Sequence, residues 1–180
     1  MEHYKGFVYE ACELNRDADV LEVLVRERAG TRVSCPRCGM RCTVYDHLPP
    51  RRYRGVPLRM LEVVLVYSPR RADCPSCGPH AEQVPWAEGK SPLTKSYAWF
   101  LARWAKRLPW NKVAGIFGCG WHQVCEAVRQ AVDWGLEHRD LSGVTAIGVD
   151  EIYFGVKSKY RTRVYQLCSA KPRLLFVAEG

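Results

Sequence analysis

Cys-Pro-Arg-Cys-Gly at positions 35–39 and Cys-Pro-Ser-Cys-Gly at positions 74–78 are near copies of each other. A Cys-x-x-Cys turn supplies two thiolates from one tight knuckle, and the Gly that follows lets the backbone turn without a Cβ clash. Two such knuckles complete the tetrahedral set of four ligands that zinc needs. The sequence therefore predicts a zinc ribbon whose structural Zn²⁺ is held by Cys35, Cys38, Cys74 and Cys77. Cys42 and His80 lie near the knuckles and stay open as substitute ligands.

The cysteine count favours metal binding over disulfides. The chain has nine Cys, so complete internal pairing is impossible. The N-terminus shows no secretory signal, and no apolar run is long enough to span a bilayer. We therefore expect a cytoplasmic chain in which clustered Cys are metal ligands. A thiol oxidoreductase is the remote alternative, because a redox pair needs only one motif. The other cysteines, Cys12, Cys119, Cys125 and Cys168, are interpreted as small buried residues.

Positive charge is concentrated in one segment. The net charge is +8, and ten Arg but only two acids, Asp46 and Glu62, lie between Arg28 and Arg71. Concentrated Arg indicates neutralisation of phosphates, and the alternative is a basic solvated face without a ligand. The residues predicted to contact DNA phosphates here are Arg51, Arg52, Arg54, Arg70 and Arg71.

Residues 1–85 are otherwise typical of short strands and loops. Four β-like runs cover positions 7–12, 20–25, 43–45 and 61–67, and Pro49-Pro50 and Pro57 divide the region. The composition changes after Pro85, where helical periodicity begins. We therefore expect a first module that ends near residue 85 and contains the zinc ribbon.

Residues 86–142 are predicted to form three helices. Ser91 is the expected cap of the first helix, which Pro109 stops, and Asn111 is the expected cap of a short second helix. A Gly-containing break at 118–120 precedes a third helix with Val124, Ala127, Val128, Ala131, Val132 and Gly135 on its apolar face. This order predicts a helix-turn-helix module whose third helix enters the major groove, and the alternative is an ordinary three-helix packing unit. The predicted DNA-reading residues are His122, Gln123, Glu126, Arg129 and Gln130.

Strand periodicity returns in residues 143–180. Three β-like runs cover positions 144–154, 160–169 and 173–177, and the first ends in the acids Asp150 and Glu151. Adjacent strand residues point to opposite faces, so only one of the two carboxylates can reach a given metal. Carboxylates in such places serve divalent-metal nucleases, although acids also end strands at solvated edges.

Taken together, these features resemble the ISL3 family of insertion-sequence transposases over roughly residues 7–180. The likeness rests on six stretches. These are the first knuckle, the basic segment that ends Arg70-Arg71-Ala72-Asp73-Cys74, the stretch Trp86-Ala87-Glu88-Gly89-Lys90-Ser91, the pair Trp134-Gly135 and Ile147-Gly148-Val149-Asp150-Glu151-Ile152, and a Tyr-Gln-hydrophobic run within 160–167.

The resemblance implies an α+β chain in which residues 143–180 begin an RNase H-like (DDE) domain with an acidic triad and two Mg²⁺ ions. Asp150 matches the first acid of the triad, and the later acids of the family fall beyond position 180. Only Glu179 follows Glu151 here, in the third strand. We therefore expect a chain that binds transposon ends in double-stranded DNA and whose interrupted catalytic domain holds no Mg²⁺ pair and does not cleave DNA alone. A homo-oligomer stays open, and the alternative function is a zinc-ribbon and helix-turn-helix regulator without catalytic activity.

Overall fold

The computed structural model describes residues 3–153, 155, 160–167 and 173–179. It confirms a mixed α+β chain, which divides into two compact units, Met1–Gly135 and Leu136–Gly180. Of the helices in the described ranges, none has the length and apolarity to span a membrane. The first unit holds strands β1 Phe7–Asn15, β2 Val20–Glu27, β3 Val33–Ser34, β4 Arg41–His47, β5 Arg51–Arg54, β6 Glu62–Tyr67, β7 Arg70–Cys74 and β8 Gly78–Ala81, followed by helices α1 Lys95–Ala105, α2 Trp110–Ile116 and α3 Trp121–Glu137.

The eight strands of the first unit form two four-stranded sheets. The first sheet has the order β1-β2-β6-β5, with β2 and β6 parallel and the other pairs antiparallel. Its core is aromatic: Trp86 is fully buried and makes edge contacts with Phe7, Tyr53 and Tyr67 at 4.8–5.9 Å between ring centroids. Trp86 therefore packs with the strands, although the sequence places it just after the predicted boundary at residue 85.

The second sheet carries both cysteine knuckles. Its order is β3-β4-β7-β8, and the knuckles are the turns that join β3 to β4 and β7 to β8. The Gly that ends each motif has positive φ, +74° at Gly39 and +79° at Gly78, as the steric argument from the sequence predicts. The antiparallel pairing of β4 with β7 then places the two knuckles side by side.

A buried ion pair lies where the chain passes from the first sheet to the second. Arg70 begins β7, directly after β6, and is 3% exposed. Its guanidinium donates to both carboxylate oxygens of Glu82 at 2.7–3.1 Å and to the backbone oxygen of Thr31 at 3.0 Å. Tyr67 at the end of β6 donates its hydroxyl to the same carboxylate. A buried, hydrogen-bonded ion pair thus stabilises the junction between the two sheets.

The helices start at other residues than the sequence predicts. Thr94, and not Ser91, caps α1: its hydroxyl accepts from the Tyr97 backbone N–H at 3.2 Å, while Ser91 bonds to Leu93 in the preceding turn. Pro109 occupies the cap position of α2, and the Asn111 side chain accepts only from the next N–H, that of Lys112. The Ser91 assignment was wrong because the loop before α1 continues to Leu93, which packs into the core of the helices. The Asn111 assignment was wrong because α2 already begins at Trp110, so Asn111 lies inside the helix.

A shared core joins the three helices. It contains Leu93, Tyr97, Ala98, Leu101, Val113, Ala114, Val124 and Ala127. In α3, Val124 and Ala127 are buried as predicted, but Val132 is 52% exposed and Gly135 is also exposed. The apolar face of α3 is therefore covered in its first half, while its second half leaves the core of this unit.

The second unit contains a three-stranded antiparallel meander, β9 Ile147–Tyr153, β10 Tyr160–Gln166 and β11 Leu174–Glu179, in the order β11-β10-β9. The strand β9 begins at Ile147 and not at position 144. Because β9 continues past Glu151 to Tyr153, Asp150 lies at the centre of the strand and not at its end, which corrects the prediction. Opposite Tyr165, a Cβ on Gly148 would meet the aromatic ring at 2.8 Å, so the packing of this pair requires glycine.

We expect the buried ion pair to be essential for stability. Replacing Arg70 with Met leaves Glu82 buried without its partner and should lower the free energy of unfolding by ~3–5 kcal/mol. The matched control is Arg52→Gln, which removes an exposed pair with Glu22 (N–O 2.7 Å) and should cost less than ~1 kcal/mol. Urea titrations followed by tryptophan fluorescence measure both, and equal losses in the two variants would contradict the assignment.

Candidate metal centre and basic surfaces

Four cysteine thiols converge between the two knuckles. The Sγ atoms of Cys35, Cys38, Cys74 and Cys77 all lie within 4.8 Å of one another. The Sγ atoms of Cys38 and Cys74, one from each knuckle, are 3.6 Å apart. Around a zinc ion with Zn–S distances of about 2.3 Å, tetrahedral sulfurs are about 3.8 Å apart. Donor chemistry and spacing therefore fit a four-coordinate structural zinc, and the four cysteines could hold such a metal.

The electrostatics of the cluster favour one thiolate. Burial raises the pKa of Cys74, but hydrogen bonds from the backbone N–H groups of Ser76 and Cys77 and from the thiols of Cys38 and Cys35 outweigh it and lower the pKa to about 6. The hydrogen bond with Cys38, together with burial, raises the pKa of Cys77 to about 12. Four thiolates this close would repel one another, so one deprotonated thiol among protonated neighbours is the expected arrangement. A bound cation would offset that repulsion and allow the other thiols to deprotonate.

The substitute ligands lie outside this group. Cys42 is buried in the same cluster of side chains, yet its Sγ contacts the backbone oxygen of Met40 at 3.3 Å. His80 lies on β8 opposite Ala72, and its Nε2 is buried without a hydrogen-bond partner. Within the described residues, the only set of three or more metal-capable side chains is that of the four knuckle cysteines.

Several arginines that the sequence predicts to contact DNA form ion pairs within the fold. Arg70 is buried against Glu82 and is withdrawn as a DNA contact. Arg71 pairs with Asp46 across β4 and β7, and its guanidinium lies over the ring of Tyr45 at 5.0 Å. The acid content of a sequence segment underestimates such pairing because strands bring carboxylates from other segments alongside.

Arg54 has a structural role of its own. It lies at the end of β5 and binds the carboxylate of Glu62 at 2.8–2.9 Å. The same guanidinium donates to the backbone oxygens of Phe117 and Gly118 at 3.2 and 2.9 Å. These carbonyls belong to the turn between α2 and α3. Arg54 therefore attaches that turn to the first sheet, and it is withdrawn as a phosphate contact.

The remaining two predicted phosphate contacts lie closer to solvent. Arg52 is half-exposed in its pair with Glu22. Arg51 donates to the backbone oxygen of Lys90 at 2.9 Å and lies over the ring of Tyr53. Both are anchored by neighbours, so their contribution to a DNA surface stays a prediction.

The polar residues of α3 differ in their surroundings. Arg129 is 68% exposed in its side chain and pairs with Glu126 one turn earlier at 2.9 Å, and His122 is exposed beside Trp121. Gln123 and Gln130, together with His122 and Glu126, line a groove against the loop 88–93. The side-chain oxygen of Gln123 accepts from the Gly120 N–H at 2.9 Å, so it caps the turn and is withdrawn as a bidentate base reader.

Asp150 is exposed on β9 and has a partner. Arg163, directly opposite on β10, donates to its carboxylate at 2.8 Å. Glu179 lies in β11, as predicted. Among the described residues no second carboxylate joins Asp150 in a metal-capable group.

The structure thus defines an α+β chain. It contains a four-cysteine cluster suited to a metal and a unit of three helices. In sequence it is similar to transposases of an insertion sequence from Mycobacterium tuberculosis. The transposase for insertion sequence element IS1557 from strain CDC 1551 / Oshkosh and that from strain ATCC 25618 / H37Rv are each 27% identical to it over 192 residues. The alignment covers 98% of this chain and 40% of each relative, so the chain spans well under half the length of the curated relatives it matches. No protein-family model and no solved structure matches the chain.

We expect the chain to bind one Zn²⁺. Replacing Cys38 and Cys74 with Ser should abolish zinc binding and destabilise the second sheet, because metal-binding energy in such ribbons is folding energy. Cys12→Ser is the matched control, since Cys12 is an exposed thiol on β1 outside the cluster. Elemental analysis of freshly reduced protein measures the metal, and an absence of zinc from the unsubstituted chain would contradict the site.

Proposed function

We propose that this chain is the DNA-binding part of an ISL3-like transposase and recognises the terminal inverted repeats of an insertion sequence. The observation that carries the proposal is the alignment with the IS1557 transposases, which extends over nearly the whole chain and includes the metal module, the helices and the last strands. In this proposal the zinc ribbon is structural, and the duplex DNA of the bacterial nucleoid is the partner.

Helix lengths and the turn support a helix-turn-helix reading of the three-helix unit. The seven-residue α2 is followed by the turn 117–120, in which Gly118 has φ +55°, and then by the seventeen-residue α3. These proportions are those of a helix-turn-helix, in which the N-terminal half of the second helix of the motif reads base edges in the major groove. In α3 that half carries Arg129 and His122 on its solvent face.

Arg129 is the residue we assign to sequence reading. An arginine reads guanine by donating two hydrogen bonds to O6 and N7. Glu126 holds the Arg129 guanidinium at 2.9 Å in the free protein, which orients the donor and also competes with the base. Glu126 can itself accept from the amino group of cytosine, so the pair suits a G·C base pair.

The last three strands support an RNase H-like assignment only in their topology. An antiparallel meander whose first strand carries an acid suits the beginning of such a domain, although the family resemblance implies an acid at the end of that strand and Asp150 lies at the centre of β9. Cleavage by two metals needs carboxylates from several segments. Asp150 is paired with Arg163 and no second carboxylate of the described residues joins it in a metal-capable group, so we propose that these 180 residues bind DNA without cutting it.

The same observation favours one alternative function. A carboxylate that is neutralised by a neighbouring arginine, with no second acid beside it in the described ranges, also suits a non-catalytic DNA-binding regulator. The two functions differ in their target: a transposase binds the ends of its own element, whereas a regulator binds a promoter.

The DNA-reading role of α3 is tested by its sequence preference. Arg129→Ala should relax discrimination at one G·C position by ~1–3 kcal/mol, because it removes one bidentate contact. Glu137→Gln, at the C-terminal end of the same helix, is the matched control and should leave the preference unchanged. Selection of bound sequences from a random duplex library measures both. A preference that is unaltered by Arg129→Ala would remove α3 from the major groove.

The chain should be inactive as a nuclease. With Mg²⁺ or Mn²⁺ and a duplex that carries the inverted repeat, we expect no nicking above the level of the Asp150→Asn variant, since one paired carboxylate does not hold two metals. Gel analysis of end-labelled DNA under excess protein measures the cut strand. Metal-dependent cutting that disappears in Asp150→Asn would show that a complete site forms from these residues.

A further inference from the structure

The helical part of the chain contains a second basic segment that no acid interrupts. Positions 89–125 hold Lys90, Lys95, Arg103, Lys106, Arg107 and Lys112, and neither Asp nor Glu. In the strand module, by contrast, carboxylates neutralise four of the arginines, Arg52, Arg54, Arg70 and Arg71. Of the six cations of the helical segment, only Lys95 forms an ion pair with a carboxylate, that of Glu88, among the described residues, so most of the positive charge on the helices is uncompensated.

Three of these cations are clustered at the end of α1. Arg103, Lys106 and Arg107 are exposed and, together with Phe100 and Trp104, line an open groove of about 510 Å³. We call these three residues the α1 basic cluster. In the described part of the chain none of the three forms an ion pair with a carboxylate. The cluster is therefore positive charge without an internal counterion.

Aromatic packing holds the groove in shape. The Trp104 ring contacts Phe100 at 6.4 Å and Phe117 at 5.7 Å, so its position is fixed by neighbouring rings, and it is 40% exposed. The rings of Phe100 and Trp104 therefore form the fixed apolar part of the groove that the three cations also line. Because Trp104 is tied to both neighbours, we favour the phosphates of a duplex as the ligand over stacked bases of a single strand.

Stabilisation of a helix dipole does not account for the whole basic segment. Cations in the last turn of α1 do favour the helix. Lys112, however, lies in the first turn of α2, where the dipole disfavours a cation, and the first turns of all three helices lack acids. The segment thus contains a cation at a position where it disfavours helix formation. Helix stability does not explain that cation, whereas binding of an external anion does.

The proposed DNA-reading helix, α3, needs positive charge from other parts of the protein in order to bind DNA. The span of α3 contains Arg129 but three acids, Glu126, Asp133 and Glu137. Its own charge opposes approach to DNA, so attraction has to come from elsewhere. The α1 basic cluster lies near the C-terminal half of this helix: Arg103 is one turn beyond Trp99, and the Trp99 ring contacts Trp134 of α3 at 5.4 Å.

We propose that the α1 basic cluster is a docking surface for the phosphate backbone of duplex DNA. Arg103, Lys106 and Arg107 bind phosphates beside the groove that α3 reads, and they supply the sequence-independent affinity that α3 and the paired arginines of the strand module do not. This proposal rests on the proposed DNA-binding function and assigns the surface by which that binding occurs.

The test is the salt dependence of binding. The combined variant Arg103→Gln, Lys106→Gln and Arg107→Gln should lower the slope of log K against log salt by about 2.7, because each phosphate contact contributes about 0.9. The single variant Arg107→Gln should lower it by about 0.9 and provides the test if the triple variant does not fold. The control Lys5→Gln, Arg16→Gln and Arg28→Gln removes the same charge from exposed positions of the strand module and should leave the slope unchanged.

The probes are a duplex of random sequence, about 30 base pairs long, and one of its single strands, both titrated by fluorescence anisotropy with the zinc-loaded chain. An unchanged slope in the triple and the single variant, with duplex binding intact, would overturn the α1 assignment and leave the proposed function standing. Tighter binding of the single strand, lost in the triple variant, would overturn the choice of duplex DNA. No binding of any DNA by the unsubstituted chain would instead refute the proposed function itself.

Discussion

The ion pair between Arg70 and Glu82 is the contact on which the strand module depends. Removing two charges from water is costly, and the cost is offset only where nearly every donor and acceptor is satisfied. Here Glu82 receives the Arg70 guanidinium, the Arg70 backbone N–H at 2.8 Å and the Tyr67 hydroxyl at 2.5 Å. Burial and this hydrogen bond raise the pKa of Tyr67 well above its usual range. The strand β7 carries Arg70 at one end and Cys74 at the other, so the pair and the metal centre fix the same five residues.

Local chemistry in the sequence was sufficient to locate the four-cysteine cluster that could hold a metal. A Cys-x-x-Cys-Gly motif specifies its own turn, and both glycines have the positive φ that the motif requires. The three helices, the last strands and the burial of Val124 and Ala127 also follow from periodicity. The helix caps were less predictable, since Ser91 and Thr94 are both good caps and only the docking of Leu93 into the helical core decides between them.

The functions of the arginines could not be predicted from the sequence, because pairing is a property of the fold. Arg54 meets Glu62 across two strands but reaches Phe117 and Gly118 only after the helices have packed on the sheet. The density of arginine in residues 28–71 therefore predicted a DNA surface. In the fold, part of that positive charge is instead paired with carboxylates within the protein. The sparse cations of 89–125 were a weaker sequence signal, yet that stretch contains no carboxylate.

The course of the chain between the two sheets has a consequence for how this protein unfolds. The chain leaves the first sheet after β2, builds β3 and β4, returns for β5 and β6, leaves again for β7 and β8, and rejoins the first core at Trp86. No single cut between residues 7 and 86 separates one sheet from the other. The parallel pairing of β2 with β6 closes a long loop that contains the first knuckle. The two sheets should consequently melt in one cooperative transition, and chelation of the metal should loosen the aromatic core as well as the ribbon.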